Sequence, residues 1–229
     1  GYEALRERFR ERLRGADMPY GARARGLQAR GPRPAELALR TLENETAELA
    51  ETLQGVDAAA LEEARDLLVG ARRVFVLGLR SCYPIAYSFH YAFDLVRDNA
   101  VLLDGAAATH LDGLRHAGPE DVLVVVSVRP YSRDTVSAVS FAVERGARVI
   151  AVTDSPVAPM ARQAGPVLVA ANRNPDALFQ SLVPLLSLVQ LLTAAVVAEG
   201  GEQALDGIAE AERQLASVRA YYDVPDPEG

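Results

Sequence analysis

The stretch VFVLGLRSCYPIA, residues 74–86, runs from an apolar strand directly into glycine, arginine, serine and cysteine. Such a strand-to-helix corner can hold an anion, because free backbone N–H groups and the positive end of the next helix converge there. A second corner has the same character. VVVSVRPYSRDTVSAV, residues 124–139, sets Ser127, Arg129, Tyr131, Ser132 and Thr135 between a strand and the following helix. Serine and threonine also cap helices without any ligand, so each corner taken singly has two readings. Two such corners on neighbouring strands favour one phosphate or carboxylate site, drawn from Gly78, Arg80, Ser81, Cys82, Ser127, Arg129, Tyr131, Ser132 and Thr135. Arg80 and Arg129 suit a bidentate clasp on an acidic ligand. They equally suit internal ion pairs with Asp104, Asp112 or Asp134.

Other chemistries are poorly provided for. None of the 24 basic residues is a lysine, which removes Schiff-base catalysis, pyridoxal-phosphate anchoring and the phosphate-loop lysine together. The single cysteine, Cys82, allows no intrachain disulfide, and His90, His110 and His116 lack metal-ligand spacing. Neither a metal nor a cofactor is expected.

These corners need elements to position them. Short apolar runs at 73–77, 100–103, 121–126, 148–152 and 166–170 read as strands. Helical stretches fall between them at about 83–97, 108–116, 133–145 and 157–163, with longer helices at about 176–199 and 202–222. Strand alternating with helix predicts an α/β fold with an open parallel sheet covered on both faces. Ligands of such sheets bind beyond the carboxyl ends of the strands, where the winding direction switches. Before the sheet, helices are expected at 2–14, 35–54 and 58–70, and the Gly-, Pro- and Arg-rich residues 15–34 read as a linker.

Leu182, Leu185, Leu188, Val189 and Leu192 make the last long apolar run richer than one sheet face needs. The surplus is expected to be buried between subunits, giving at least a dimer. Residues 182–198 are too short and too interrupted for a membrane span, and the opening residues do not read as a signal peptide. A cytoplasmic chain is expected. Its charge is uneven: residues 1–40 hold ten arginines against five acids, and the rest hold fourteen against twenty-six. A basic arm on an acidic body suits an approach to nucleic acid, and Glu–Arg pairs on a solvated helix explain it as well.

Residues 71–93 (ARRVFVLGLRSCYPIAYSFHYAF) and 114–170 (LRHAGPEDVLVVVSVRPYSRDTVSAVSFAVERGARVIAVTDSPVAPMARQAGPVLVA) resemble the SIS (sugar isomerase) domain. More narrowly, they are similar to the effector domain of RpiR/MurR-type bacterial transcriptional regulators. Residues 142–169, with their TDSP turn, carry the nearest likeness. The resemblance covers about 35–222. It implies a three-layer α-β-α sandwich with a five-stranded parallel sheet in flavodoxin-like winding, preceded by N-terminal helices. It further implies that 35–229 form the SIS domain and 1–34 the closing helix and linker of an N-terminal helix-turn-helix domain. The segment is thus expected to start just after the recognition element. The implied partners are a sugar phosphate or other acidic metabolite, operator DNA through the N-terminal domain, and further copies in a homodimer or homotetramer.

The family's first loop reads Gly-x-Gly-x-Ser. Here Gly78 is kept, Arg80 stands at the second glycine and Cys82 at the serine. The second loop reads Ser-x-Ser-Gly-x-Thr, and here Arg129 and Pro130 replace the inner pair. Related enzymes isomerise aldoses and ketoses with a glutamate after the last strand, a role that needs a base beside the substrate. This chain reads AANRNPDALFQSL there, with Asp176 and no glutamate. Sensing is therefore expected over catalysis, with sugar-phosphate isomerase as the alternative.

Overall fold

A computed structural model describes residues 18–106, 109, 111–172 and 177–222. Runs of valine, isoleucine and leucine, which favour a pleated buried surface, form β1 (Arg73–Gly78), β2 (Ala100–Leu102), β3 (Asp121–Ser127), β4 (Arg148–Thr153) and β5 (Val167–Val169). They pair in parallel in the order β2-β1-β3-β4-β5, with Val76 beside Val124 and Val124 beside Ile150. Strand alternation splits the core into two halves. Val74, Val76, Val122, Val124, Ile150 and Val152 face α3 (Ala58–Gly70), α4 (Tyr83–Asp94) and α6 (Val183–Glu199). Phe75, Leu77, Leu123, Val125 and Val149 face α5 (Arg133–Glu144). The result is the expected α-β-α sandwich. Outside it, α2 (Pro34–Gln54) and α7 (Gly201–Ser217) pack against α6.

The far end of the sheet is held by charge. Asp121, fully buried, accepts from Arg72 Nε and Nη2 at 3.0 and 2.6 Å and from Arg73 Nη2 at 3.1 Å. Burial opposes ionisation of its carboxyl, but the two guanidinium groups outweigh that and hold it below its ordinary value.

Several expectations need correction. The leucines assigned to a subunit interface lie within the chain: Leu185, Leu188, Val189 and Leu192 are buried in the core, and Leu182 packs against it. They are covered because α6 is wrapped by α2, α3, α4 and α7 as well as the sheet. The expected linker contains α1 (Tyr20–Arg30). Two glycines in that run lower helix propensity, but tertiary contacts compensate. The Tyr20 ring meets Phe179 at 5.5 Å, and Arg23 donates to the Ala177 carbonyl at 3.3 Å. Gly31, at φ 52°, ends the helix in the left-handed conformation that glycine adopts freely.

The last long pair of helices is shorter than expected. α6 starts at Val183, because Pro184 fits only a first helical turn, and α7 stops at Ser217. Residues 157–163, flanked and interrupted by Pro156 and Pro159, form turns instead of a helix. The stretch expected as helix 108–116 holds a 3₁₀ turn at Asp112–His116. The helix expected at 2–14, and Asp176, lie outside the described residues.

Candidate functional site

β1 leads to β2 on one side, whereas β3 leads to β4 and β5 on the other. The winding switches between β1 and β3, and both expected corners lie at the carboxyl ends of these two strands. Gly78 pairs with Val126, one residue before Ser127, so the register sets the two loops side by side.

The first corner is tight. Arg80–Cys82 form a single 3₁₀ turn that leads into α4. It folds so closely over β1 that a Cβ on Gly78 would lie 2.6 Å from the Cys82 carbonyl and 2.7 Å from Ala86 Cβ. Arg80 holds φ at 56°, the left-handed conformation that costs an L-residue about 1–2 kcal/mol. The backbone thus keeps a glycine-like shape at the position where the resembled family carries glycine. The Arg80 side chain is exposed and has no ion pair among the described residues, whereas Ser81 beside it is exposed and Cys82 buried. Burial pushes the Cys82 thiol up, with the Val128 backbone and the Ser81 hydroxyl pulling the other way, so it stays protonated at neutral pH. The contact with Val128 joins the first corner to the second.

In the second corner, Ser127 ends β3 buried beside Thr153. The chain then passes through a cis Arg129–Pro130 bond. Asp154, just past β4, secures this loop: its Oδ1 accepts from the Tyr131 hydroxyl at 2.9 Å and its Oδ2 from the Arg129 amide at 3.4 Å. Burial and the Asp154 carboxylate keep the Tyr131 phenol above its ordinary value, against the opposing pull of Arg129. The Arg129 guanidinium lies 5.8 Å from the Tyr131 ring centroid, its Nε 3.4 Å from the hydroxyl. Of the two arginines, Arg129 is engaged with its own loop and Arg80 is the more available.

The hydroxyls at the start of α5 are unspent. Ser132 occupies the N-cap position, yet its side chain makes no capping bond. Thr135, in the first turn, is 1% exposed, and its Oγ1 has no hydrogen-bond partner. Capping therefore does not account for either residue, and a buried hydroxyl without a partner carries a real cost. The first-turn amides and the helix dipole point the same way.

The nine expected residues are thus brought to one end of the sheet, in two touching loops. Asp154 was missed. Its signal was an acid placed directly after an apolar strand, within the TDSP turn. Among the described residues no three His, Cys, Asp or Glu side chains gather as a metal-ligand set. No helix among them is long and apolar enough to cross a membrane.

The model of the SIS domain matches residues 67–195. The chain belongs to the SIS-domain family. Among solved structures, this SIS chain is similar to the sugar isomerase domain of an RpiR transcription factor from Sphaerobacter thermophilus. Identity is 33% over 77% of this chain and 98% of that one, with a TM-score of 0.72. The Vibrio vulnificus NanR protein complexed with ManNAc-6P shares the fold at 18% identity and TM-score 0.70, over 85% of this chain and 73% of that one. So does the C-terminal domain of glucosamine-fructose-6-phosphate aminotransferase from Francisella tularensis, at 17% identity and TM-score 0.54, over 74% and 47%. No curated protein matches the chain in sequence.

Proposed function

We propose that this SIS domain is the effector-sensing part of an RpiR-type transcriptional regulator and is not itself an enzyme. It takes a phosphosugar or related anionic metabolite at the corner between β1 and β3, among Gly78, Arg80, Ser81, Cys82, Ser127, Arg129, Tyr131, Ser132 and Thr135. The observation that carries the site is the pair of unspent hydroxyls, Ser132 and the buried Thr135, at the N-terminus of α5. An anion seated there would satisfy Thr135, meet the first-turn amides and lie within reach of the Arg80 loop. The regulator half of the reading rests on the 33% identity to the RpiR domain. The ligand of the NanR structure, ManNAc-6P, and the sugar phosphate in the Francisella tularensis enzyme's name support a phosphosugar class. Operator DNA is bound through an N-terminal helix-turn-helix region, and the effector shifts that affinity by a coupling of about 1–3 kcal/mol.

Titration calorimetry with ManNAc-6P, fructose 6-phosphate and other acidic sugar phosphates tests this. One or more should bind without being converted, and Ser127→Ala or Ser132→Ala should each weaken binding by about 1–2 kcal/mol with the fold intact. Aldose–ketose turnover by the purified chain, read by NMR, would reverse the assignment in favour of an isomerase.

A further inference from the structure

Helix α2 turns polar residues inward, and their bonds reach beyond the helix. Glu45, Glu48 and Thr52 share one stripe, with Glu48 and Thr52 buried. A threonine inside a helix commonly bonds the carbonyl four residues back. Thr52 Oγ1 does so, donating to the Glu48 carbonyl at 2.7 Å, and the same oxygen accepts the Ala171 amide at 2.8 Å. Glu45 accepts from the Ser181 hydroxyl. Helix α1 grips the same stretch of chain. Arg23 donates to the Ala177 carbonyl at 3.3 Å, and the Tyr20 ring meets Phe179 at 5.5 Å. All four contacts join the N-terminal helices to the chain that leaves β5 and enters α6 at Val183.

That stretch begins at the ligand end of the sheet. Ser127 pairs with Thr153, and the Thr153 carbonyl accepts the Ala170 amide at 2.8 Å. At about 4.8 Å per strand, Ala170 lies about 10 Å from Ser127, near enough for one small ligand to meet both. Between β5 and α6 the described residues form no helix or strand. Phe179 is 67% exposed and Val183 41%, so little core packing fixes the stretch, and segments of that kind open at low cost. Its position depends on α1 and α2.

We propose that α1 and α2 hold the chain between β5 and α6 in place as one wall of the anion site, so that docking of these helices and effector binding support each other. The proposal rests on the sensor reading for its ligand. A ligand that meets a wall already in place does not have to order it, and it binds more tightly by that ordering cost. By reciprocity, the bound ligand holds the two helices down by the same factor. Tyr20 and Glu45 act through the wall and touch no ligand, which makes them positioning residues. The effect is carried to the N-terminal helices, through which the regulator reading connects the domain to DNA.

Calorimetry of the full chain with ManNAc-6P and fructose 6-phosphate reads the coupling. Tyr20→Ala with Glu45→Ala should raise Kd about five- to tenfold, within the ordinary range of coupling between sites. Tyr20→Phe keeps the ring against Phe179 and should bind as the wild type does. Leu39→Ala, exposed on α2 and outside these contacts, should also leave Kd unchanged. The reciprocal effect needs no variant, so it decides the matter should the double variant fail to fold: hydrogen exchange of the α1 amides in the wild type should slow about five- to tenfold at saturating phosphosugar. An unchanged Kd in a folded double variant, or α1 exchange indifferent to the bound phosphosugar, would overturn the proposal and leave the anion site standing. Failure of both phosphosugars and of inorganic phosphate to bind the wild type would sink the sensor reading, and this proposal with it.

Discussion

Thr135→Val separates a ligand site from an ordinary helix start by the sign of two effects. Valine keeps the branched shape of threonine and replaces only the hydroxyl with a methyl group. Thr135 is 1% exposed and its Oγ1 has no partner, so the unliganded protein bears the desolvation cost of that hydroxyl, about 1–3 kcal/mol. Removing it should stabilise the unliganded domain by about 1 kcal/mol, after allowing for a little crowding by the methyl group. For a chain of this size that is a rise of roughly 2–4 °C in Tm. Effector affinity should move the other way: losing one hydrogen bond to a charged group costs about 1.5–3 kcal/mol, or roughly ten- to a hundredfold in Kd. Differential scanning fluorimetry with and without the phosphosugar reads both quantities in one plate. A fall in Tm would mean that the hydroxyl already has a partner in the folded chain. A rise in Tm with unchanged affinity would place the anion elsewhere.

The other corner gives a related contrast. Arg80→Gly relieves a left-handed backbone costing about 1–2 kcal/mol, less about 0.4–1 kcal/mol for the looser unfolded chain. It should therefore melt slightly above Arg80→Ala, while both lose effector affinity; equal affinity to wild type in both would make Arg80 a bystander. Gly78→Ala should destabilise by about 2–3 kcal/mol, roughly 5–10 °C in Tm, because the added Cβ meets the Cys82 backbone, and an unchanged melt would contradict that packing. Asp121 makes stability pH-dependent at the acid end. Its carboxyl is held low in the folded state, so its contribution is fully present above the unfolded value, about 3.9, and is lost as pH falls through the folded one. Melts across this range should fall less steeply for Asp121→Asn, which should already be less stable at neutral pH.

The fold could be read from residue order because its signals are local and repeated. Five runs rich in valine, leucine and isoleucine, separated by helical stretches, admit few arrangements other than a covered parallel sheet. That topology in turn sends any ligand to the strand ends. Glycine followed by Arg80, Ser81 and Cys82, and Ser127 through Thr135, marked the two corners for the same reason. Side-chain chemistry and strand ends are both written in the chain.

What needed three dimensions was partnership between distant residues. Tyr131 and Asp154 are 23 positions apart, and β3–β4 pairing brings them to 2.9 Å. No local pattern indicates that Arg129 is tied into this loop while Arg80 stands clear. Residues 20–30 carry weak helix propensity, and it is Phe179 and Ala177, far along the chain, that tip them into α1. Apolar content misled where its neighbours were unknown. The leucines of α6 looked like surplus and are core, because helices surround them, whereas Leu39, Leu42 and Leu53 of α2 are exposed. Amphipathic spacing tells which side chains share a face. It does not tell which way the face turns, because that depends on what the rest of the chain puts beside it.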